Sequence, residues 1–141
     1  MFVDADTAQI QGLYSEGIID IAQLHGSEGE EDILALKAAG VPVIKAVRVQ
    51  SPLDVEQWRG SAADWLLLDN GAGGTGQSFN WMHAHHCPRP YFLAGGIGVH
   101  NIREALRLKP YCIDLSSGAE TDGKKDRQKL LELTEIVRRE Q

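Results

Sequence analysis

Residues 65–81, WLLLDNGAGGTGQSFNW, decide how the rest of the chain is read. The run Trp65-Leu66-Leu67-Leu68 is continuously apolar, the pattern of a strand buried on both faces. It stops at Asp69 and opens into a loop carrying Gly71, Gly73, Gly74 and Gly76, after which Phe79 and Trp81 return the chain to apolar packing. A strand that ends in a carboxylate and runs into flexible, N–H-rich backbone is a way to build a site at one end of a sheet. The other strand-like runs repeat the design. That repetition predicts an α/β enzyme with its chemistry at the carboxyl ends of its strands.

Toward the N-terminus, residues 41–49 (VPVIKAVRV) form a β-branched strand, and residues 18–24 (IIDIAQL) form another that runs into His25-Gly26. Phe2-Val3 reads as the tail of a strand cut short by Asp4. Toward the C-terminus, residues 90–94 end in Gly95-Gly96, and residues 111–115 (YCIDL) end in Ser116-Ser117-Gly118. Helices are predicted between them: 7–14, capped by Asp6 or Thr7; 30–39, closed by Gly40; and one opened by Ser51-Pro52 and ended by Gly60. A short, poorly formed helix follows at 80–86, then 101–108, and a strongly amphipathic one over 124–140. Six strands alternating with six helices imply parallel strands joined by right-handed crossovers, in a single domain spanning residues 1–141. No G-x-G-x-x-G follows the first strand, so a dinucleotide fold has no positive support. A closed barrel needs eight units. Periodicity alone leaves an open sheet and a barrel both standing.

The formal net charge of −6 argues against a general nucleic-acid binder, while a local basic pocket for an anionic metabolite stays open. Cys87 and Cys112 form no spaced metal or disulfide framework, which predicts a reducing cytoplasm. No apolar run approaches membrane-spanning length, and the start MFVDADTAQI has no signal pattern. The expectation is a soluble, cytoplasmic protein without a membrane or nucleic-acid partner.

In a parallel α/β fold the strand ends Asp4, His25-Gly26, Arg48, Asp69-Asn70, Gly95-Gly96 and Ser116-Ser117-Gly118 share one rim. Two glycine turns on adjacent last strands, one with two serines, suit a phosphate; the plainer alternative is two tight turns. Asp69 closes an apolar strand, where partial burial would raise its pKa and suit it to general-acid work; the alternative is a cap within the glycine loop. Asp114 shares a face with Cys112 and Ser116 and could hold a sugar hydroxyl, or make a salt bridge. His83, His85, His86 and Cys87 crowd together, but a short helix spreads them over different faces, so no metal site is assigned. Lys45 and the pair Lys124-Lys125 read as solvated or ion-paired, and Arg48 is the cation that could reach a carboxylate ligand.

One ordered set of segments carries a resemblance. Gln23-Leu24-His25-Gly26 with Glu28, Leu67-Leu68-Asp69, Gly73-Gly74-Thr75-Gly76 with Phe79-Asn80-Trp81, Leu93-Ala94-Gly95-Gly96-Ile97, and Asp114-Leu115-Ser116-Ser117-Gly118-Ala119-Glu120 with Gly123-Lys124-Lys125-Asp126 occur in this order. Together they closely resemble phosphoribosylanthranilate isomerase of tryptophan biosynthesis, from Phe2 to the end of the chain. The resemblance implies a TIM-type (β/α) barrel, here incomplete, with six of the eight strand-helix units. It implies an Amadori rearrangement: the ribosylamine of anthranilate opens and a proton leaves C2′ to give the ribulose isomer, with no metal or cofactor. By position, Asp69 would be the general acid that protonates the ribose ring oxygen. Gly95, Gly96, Ser116, Ser117 and Gly118 would cradle the phosphate of a small phosphorylated substrate, and Asp114 would contact sugar hydroxyls. His25 and the loop containing Gly74 would shape the rim.

The chain departs from the family at its start. Phe2-Val3-Asp4 aligns with the family's third strand, so the first two units, which carry the family's cysteine base and an arginine for the anthranilate carboxylate, have no counterpart here. Neither Cys87 nor Cys112 lies in the motif of that cysteine. The expectation for the 141-residue chain is therefore reduced turnover. The alternative function is a non-catalytic barrel remnant that binds a phosphorylated ligand; a pentose-phosphate epimerase is disfavoured by the lack of strand-end metal ligands. Six units also leave two strand edges, at Phe2-Val3 and at 111–115, and such edges predict a homodimer or larger assembly.

Overall fold

A computed structural model describes residues 1–69 and 80–140. Its centre is a five-stranded, all-parallel sheet in the order β1 (Ala22–Leu24), β2 (Val43–Arg48), β3 (Trp65–Asp69), β4 (Tyr91–Leu93) and β5 (Cys112–Ile113). Spatial order equals chain order, so each connection is a crossover to the next strand. That is how a barrel wall is laid down, rather than a doubly wound sheet, whose strand order reverses. Phe2 extends the wall by one bridge beside β1: its N–H donates to the Gln23 carbonyl at 2.8 Å, and its carbonyl accepts from the His25 N–H at 2.8 Å.

The crossovers carry α1 (Thr7–Ser15), α2 (Glu30–Ala38), α3 (Pro52–Glu56), a 3-10 turn (Trp81–His86) and α4 (Ile102–Arg107), and α5 (Arg127–Glu140) closes the chain. Side-chain carboxylates cap them. Asp6 accepts from the Ala8 N–H at 2.9 Å, Asp32 from Gly29 at 2.9 Å, and Asp54 from Ser51 at 2.7 Å. The helices cover one face of the sheet. There Val43, Val47, Leu66, Leu68 and Leu93 pack with Ile10, Ile33, Leu36, Val55, Ile102, Leu133 and Ile136. The opposite face is thinner, built on Ile44, Leu67 and Ala94 with Ala46, Trp65 and Phe92.

Three expected elements change shape. The strand at 18–24 begins only at Ala22, because Ile18 and Ile21 stay exposed in the loop that follows Gly17. The strand at 111–115 shortens to Cys112–Ile113. The long last helix starts at Arg127 rather than at Lys124. Lys124–Lys125 instead pairs with Glu120–Thr121 in a small antiparallel hairpin, β7 with β6. The cause is Asp122-Gly123: both adopt positive φ, 52° and 72°, as a primed hairpin turn requires. Asp126 then caps α5, accepting from Gln128 at 2.8 Å.

At the amino ends of the strands, the Arg89 guanidinium gathers the carbonyls of Ser61, Ala63 and Asp64. The Asp64 carboxylate binds Lys37 Nζ at 2.6 Å and the Val43 N–H at 2.7 Å. These contacts tie loops together far from the other rim. No helix among the described residues is long and apolar enough to cross a membrane.

Candidate active site

Strand alternation places the chemistry. Gln23 is in register with Ile44, Arg48 with Asp69, and Phe92 with Cys112. Side chains two residues apart share a face, so His25, Arg48, Asp69 and Asp114 all stand at the carboxyl end of the sheet, on the face away from the helices. Four separate strands thus deliver one imidazole, one guanidinium and two carboxylates to a single rim. His25 Nε2 lies 3.6 Å from Asp69 Oδ2, and only 14% of the Asp69 side chain is exposed. Behind the ring, the Gln23 side-chain nitrogen sits 3.0 Å from His25 Nδ1.

The carboxyl held above its ordinary range is Asp114. Partial desolvation and the neighbouring charge of Asp69 push it up, His25 and Lys125 pull it partly back, and the residue itself stays exposed after the short β5. Its backbone N–H is anchored to the Leu93 carbonyl at 2.9 Å, which fixes the start of the loop after β5. Asp114 therefore senses both Asp69 and His25 electrostatically. That is the arrangement expected of a site that must hold and release protons.

The two glycine turns meet beside these groups. Gly95 and Gly96 both adopt positive φ, 86° and 67°, which lets β4 turn sharply at the rim. Asn101 braces the turn, accepting from the Gly98 N–H at 2.8 Å and donating to the Gly96 carbonyl at 2.9 Å. Gly118, in the short 3-10 turn Ser117–Ala119, presses against that loop so closely that a Cβ would fall 1.8 Å from the Ile97 carbonyl oxygen. Ser116 stands next to it, with Lys125 Nζ 3.2 Å from its Oγ and 2.7 Å from Glu120 Oε1. Two backbone loops in contact, two serines and an ammonium group form a cradle suited to an oxyanion.

Of the candidate residues, His25, Asp69 and Asp114 come together on one rim, and Gly95, Gly96, Ser116, Ser117 and Gly118 on adjoining loops. Gly74 lies outside the described residues. His83, His85 and His86 ride on the 3-10 turn after β3, the latter two exposed. Partial desolvation raises both thiols, half-buried Cys87 beside Arg89 and exposed Cys112 beside the Asp114 charge, so neither is a ready thiolate.

Four residues carry more than sequence reasoning assigned them. Lys45 is 3% exposed, bonded to Glu28 Oε2 at 3.0 Å and to the Gly26 carbonyl at 2.8 Å, with the Trp58 ring beneath it. Glu28 also accepts from the Asp4 and Gly26 N–H groups, both at 2.8 Å, and so locks the loop that follows His25. Burial opposes the Glu28 charge, but bonds from Lys45 and from the Asp4 N–H outweigh it and hold the carboxyl below its ordinary value. Lys125 reaches back to Ser116 only because the Asp122-Gly123 turn folds it there. Gln23 had signalled itself by lying two residues before His25, on the same face of one strand.

Residues 1–136 match the family described as N-(5'phosphoribosyl)anthranilate (PRA) isomerase. An N-(5'-phosphoribosyl)anthranilate isomerase of Endomicrobium trichonymphae is 41% identical over 144 residues, covering 98% of this chain and 70% of that relative. The chain spans between 63% and 71% of the length of such curated relatives. The crystal structure of phosphoribosyl anthranilate isomerase from Thermus thermophilus superposes with a TM-score of 0.87 at 35% identity, over 99% of this chain and 71% of that one. Another solved isomerase, in complex with reduced 1-(o-carboxyphenylamino)-1-deoxyribulose 5-phosphate, gives a TM-score of 0.77 at 29% identity, over 97% of this chain and 69% of that one.

Proposed function

The chain belongs to the N-(5'-phosphoribosyl)anthranilate isomerase family, and from that premise we propose that it acts in the isomerisation of N-(5-phosphoribosyl)anthranilate. The observation that carries this reading is the junction of His25, Asp69 and Asp114 with the touching glycine loops after β4 and β5. A phosphate held by Gly95, Gly96, Ser116, Ser117 and Gly118 sets the sugar against the two carboxyls. Asp69 then gives its proton to the ribose ring oxygen as the C1′–O bond breaks, and the anthranilate nitrogen supplies the electron pair that makes the iminium. Water accepts the C2′ proton from the iminium, and the resulting enolamine gains a proton at C1′ as its enol O–H releases one, giving the ribulose product. Asp114, at the neighbouring strand end, accepts hydrogen bonds from sugar hydroxyls. A cytoplasmic setting and self-association through the outer edge of β5 belong to the same reading. Exposed Tyr111 and Leu130 beside the groove between β5 and α5 support the association.

The test is turnover of phosphoribosylanthranilate, followed by the fall in anthranilate fluorescence, with Asp69→Asn alongside. Asn keeps the shape of the carboxyl and removes its acid. The expected result is a loss of about 10²–10⁴-fold in kcat, with product binding retained. An unchanged rate in that variant would overturn the assignment of Asp69.

A further inference from the structure

We infer that Gln23 is a positioning residue that fixes the His25 ring as its Nε2–H tautomer and so presents that N–H to the Asp69 carboxylate. The contact to Nδ1 comes from the amide nitrogen of Gln23, at 3.0 Å. An amide nitrogen has only hydrogens to offer, so in this orientation Nδ1 accepts and the proton of the neutral ring resides on Nε2, whereas an amide turned by 180° would select the other tautomer. Nε2 is the atom turned toward Asp69, at 3.6 Å from Oδ2. A closure of a few tenths of an ångström makes this a hydrogen bond, and such tightening on substrate binding is ordinary for catalytic pairs.

The geometry follows from the strand. Gln23 and His25 lie two residues apart at the end of β1, so both side chains rise from the same face and the amide reaches the near side of the ring. The far side then spans β2 to reach Asp69 at the end of β3. Charged groups sharing this face are Asp69 of β3, Arg48 of β2 and Asp114 after β5. With the tautomer fixed, an N–H steadies Oδ2 of the carboxylate left after proton donation. The wrong tautomer would aim a lone pair at that carboxylate.

This inference rests on the proposed isomerase reading for its catalytic consequence, but its central claim is spectroscopic. Long-range ¹H–¹⁵N spectra of the wild-type chain, with the His25 ring identified through a His25→Gln control, should show a pyridine-like Nδ1 and a pyrrole-like Nε2 at neutral pH. In Gln23→Glu the new carboxylate accepts from Nδ1, and the two nitrogen signatures should exchange or Nδ1 should become protonated. Affinity for inorganic phosphate should stay within about 2-fold in Gln23→Glu, while kcat should fall about 10-fold, the scale of losing a supporting hydrogen-bond partner. A wild-type ring with the averaged tautomer mixture of free histidine would overturn the inference, whatever the activity. Exchanged signatures with unchanged kcat would overturn the positioning role and leave the isomerase reading intact. Absence of wild-type turnover would count against the isomerase reading, with the wild-type spectrum still deciding the tautomer.

Discussion

Asp114 shows how one residue couples the site to stability. Its carboxyl is raised in the folded protein, so between its ordinary value and the raised one the folded state binds more protons than the unfolded state. Stability therefore falls as pH rises through that window, the opposite of what a paired carboxylate does. Because Asp114 is exposed, water screens much of this effect, so Asp114→Asn should flatten the slope and raise the melting temperature at neutral pH only slightly, while weakening substrate binding through the sugar. Thermal melts at several pH values check it; an unchanged slope would refute the link. Gly118 is a second single-residue constraint. A methyl group there meets a backbone carbonyl rather than a flexible side chain, so one of the two loops must move. Gly118→Ala should cost about 1–3 kcal/mol and reduce phosphate affinity at the same time, read by denaturant titration and by phosphate binding. Both residues were legible as strand-end positions. The raised carboxyl and the close approach of the loops were not, because each depends on a neighbour from another strand.

Among the elements, the loop between β1 and α2 owes its shape to a buried ion pair. Glu28 receives two backbone N–H groups and Lys45 Nζ, and Lys45 spends a second bond on the Gly26 carbonyl. Removing one partner of such a pair strands the other charge, which costs more than the pair itself contributes. Lys45→Met keeps the packing over Trp58 and removes the charge. It should destabilise by about 3 kcal/mol, visible as a fall of about 10 °C in melting temperature, and should loosen the backbone that carries His25. The sign with pH is conventional here: the Glu28 contribution is present above the ordinary carboxylate value and is lost as pH falls through its lowered one. In sequence, Lys45 reads as one basic residue in a β-branched strand. That it faces the helices rather than solvent depends on the register Leu24 with Lys45, which local periodicity does not specify.

The whole molecule divides its two strand ends between two tasks. Arg89, Lys37 and Asp64 bind loops together at the amino ends, whereas His25, Asp69, Asp114 and the glycine turns gather at the carboxyl ends. The wall has a neighbour on only one side of β5 among the described residues, and beside it runs a groove of about 470 Å³ between β5, α4 and α5. Ile102, Leu106, Ile113 and Leu130 line it, and Tyr111, 67% exposed, stacks on Phe92 at its margin. An exposed strand edge beside an apolar groove favours pairing. Light scattering of the 141-residue chain should give at least a dimer mass, and Tyr111→Lys with Leu130→Lys should shift it toward monomer. A monomer in the unaltered chain would overturn the association.

By itself the sequence determined the α/β class of the fold and placed the candidate residues at the strand ends. Apolar runs closed by Asp69 and Gly95-Gly96 require buried parallel strands, and such strands can carry polar chemistry only where they emerge. The ordered segments from Gln23 to Asp126 carried the resemblance to the family. Tertiary structure alone decided which of these residues touch. His25 meets Asp69 across an intervening strand, Lys45 turns inward to Glu28, and Lys125 folds back to Ser116 through a hairpin that helical periodicity had concealed. Each of those contacts is set by register and strand twist between distant segments, and no local pattern of apolar and polar residues encodes either.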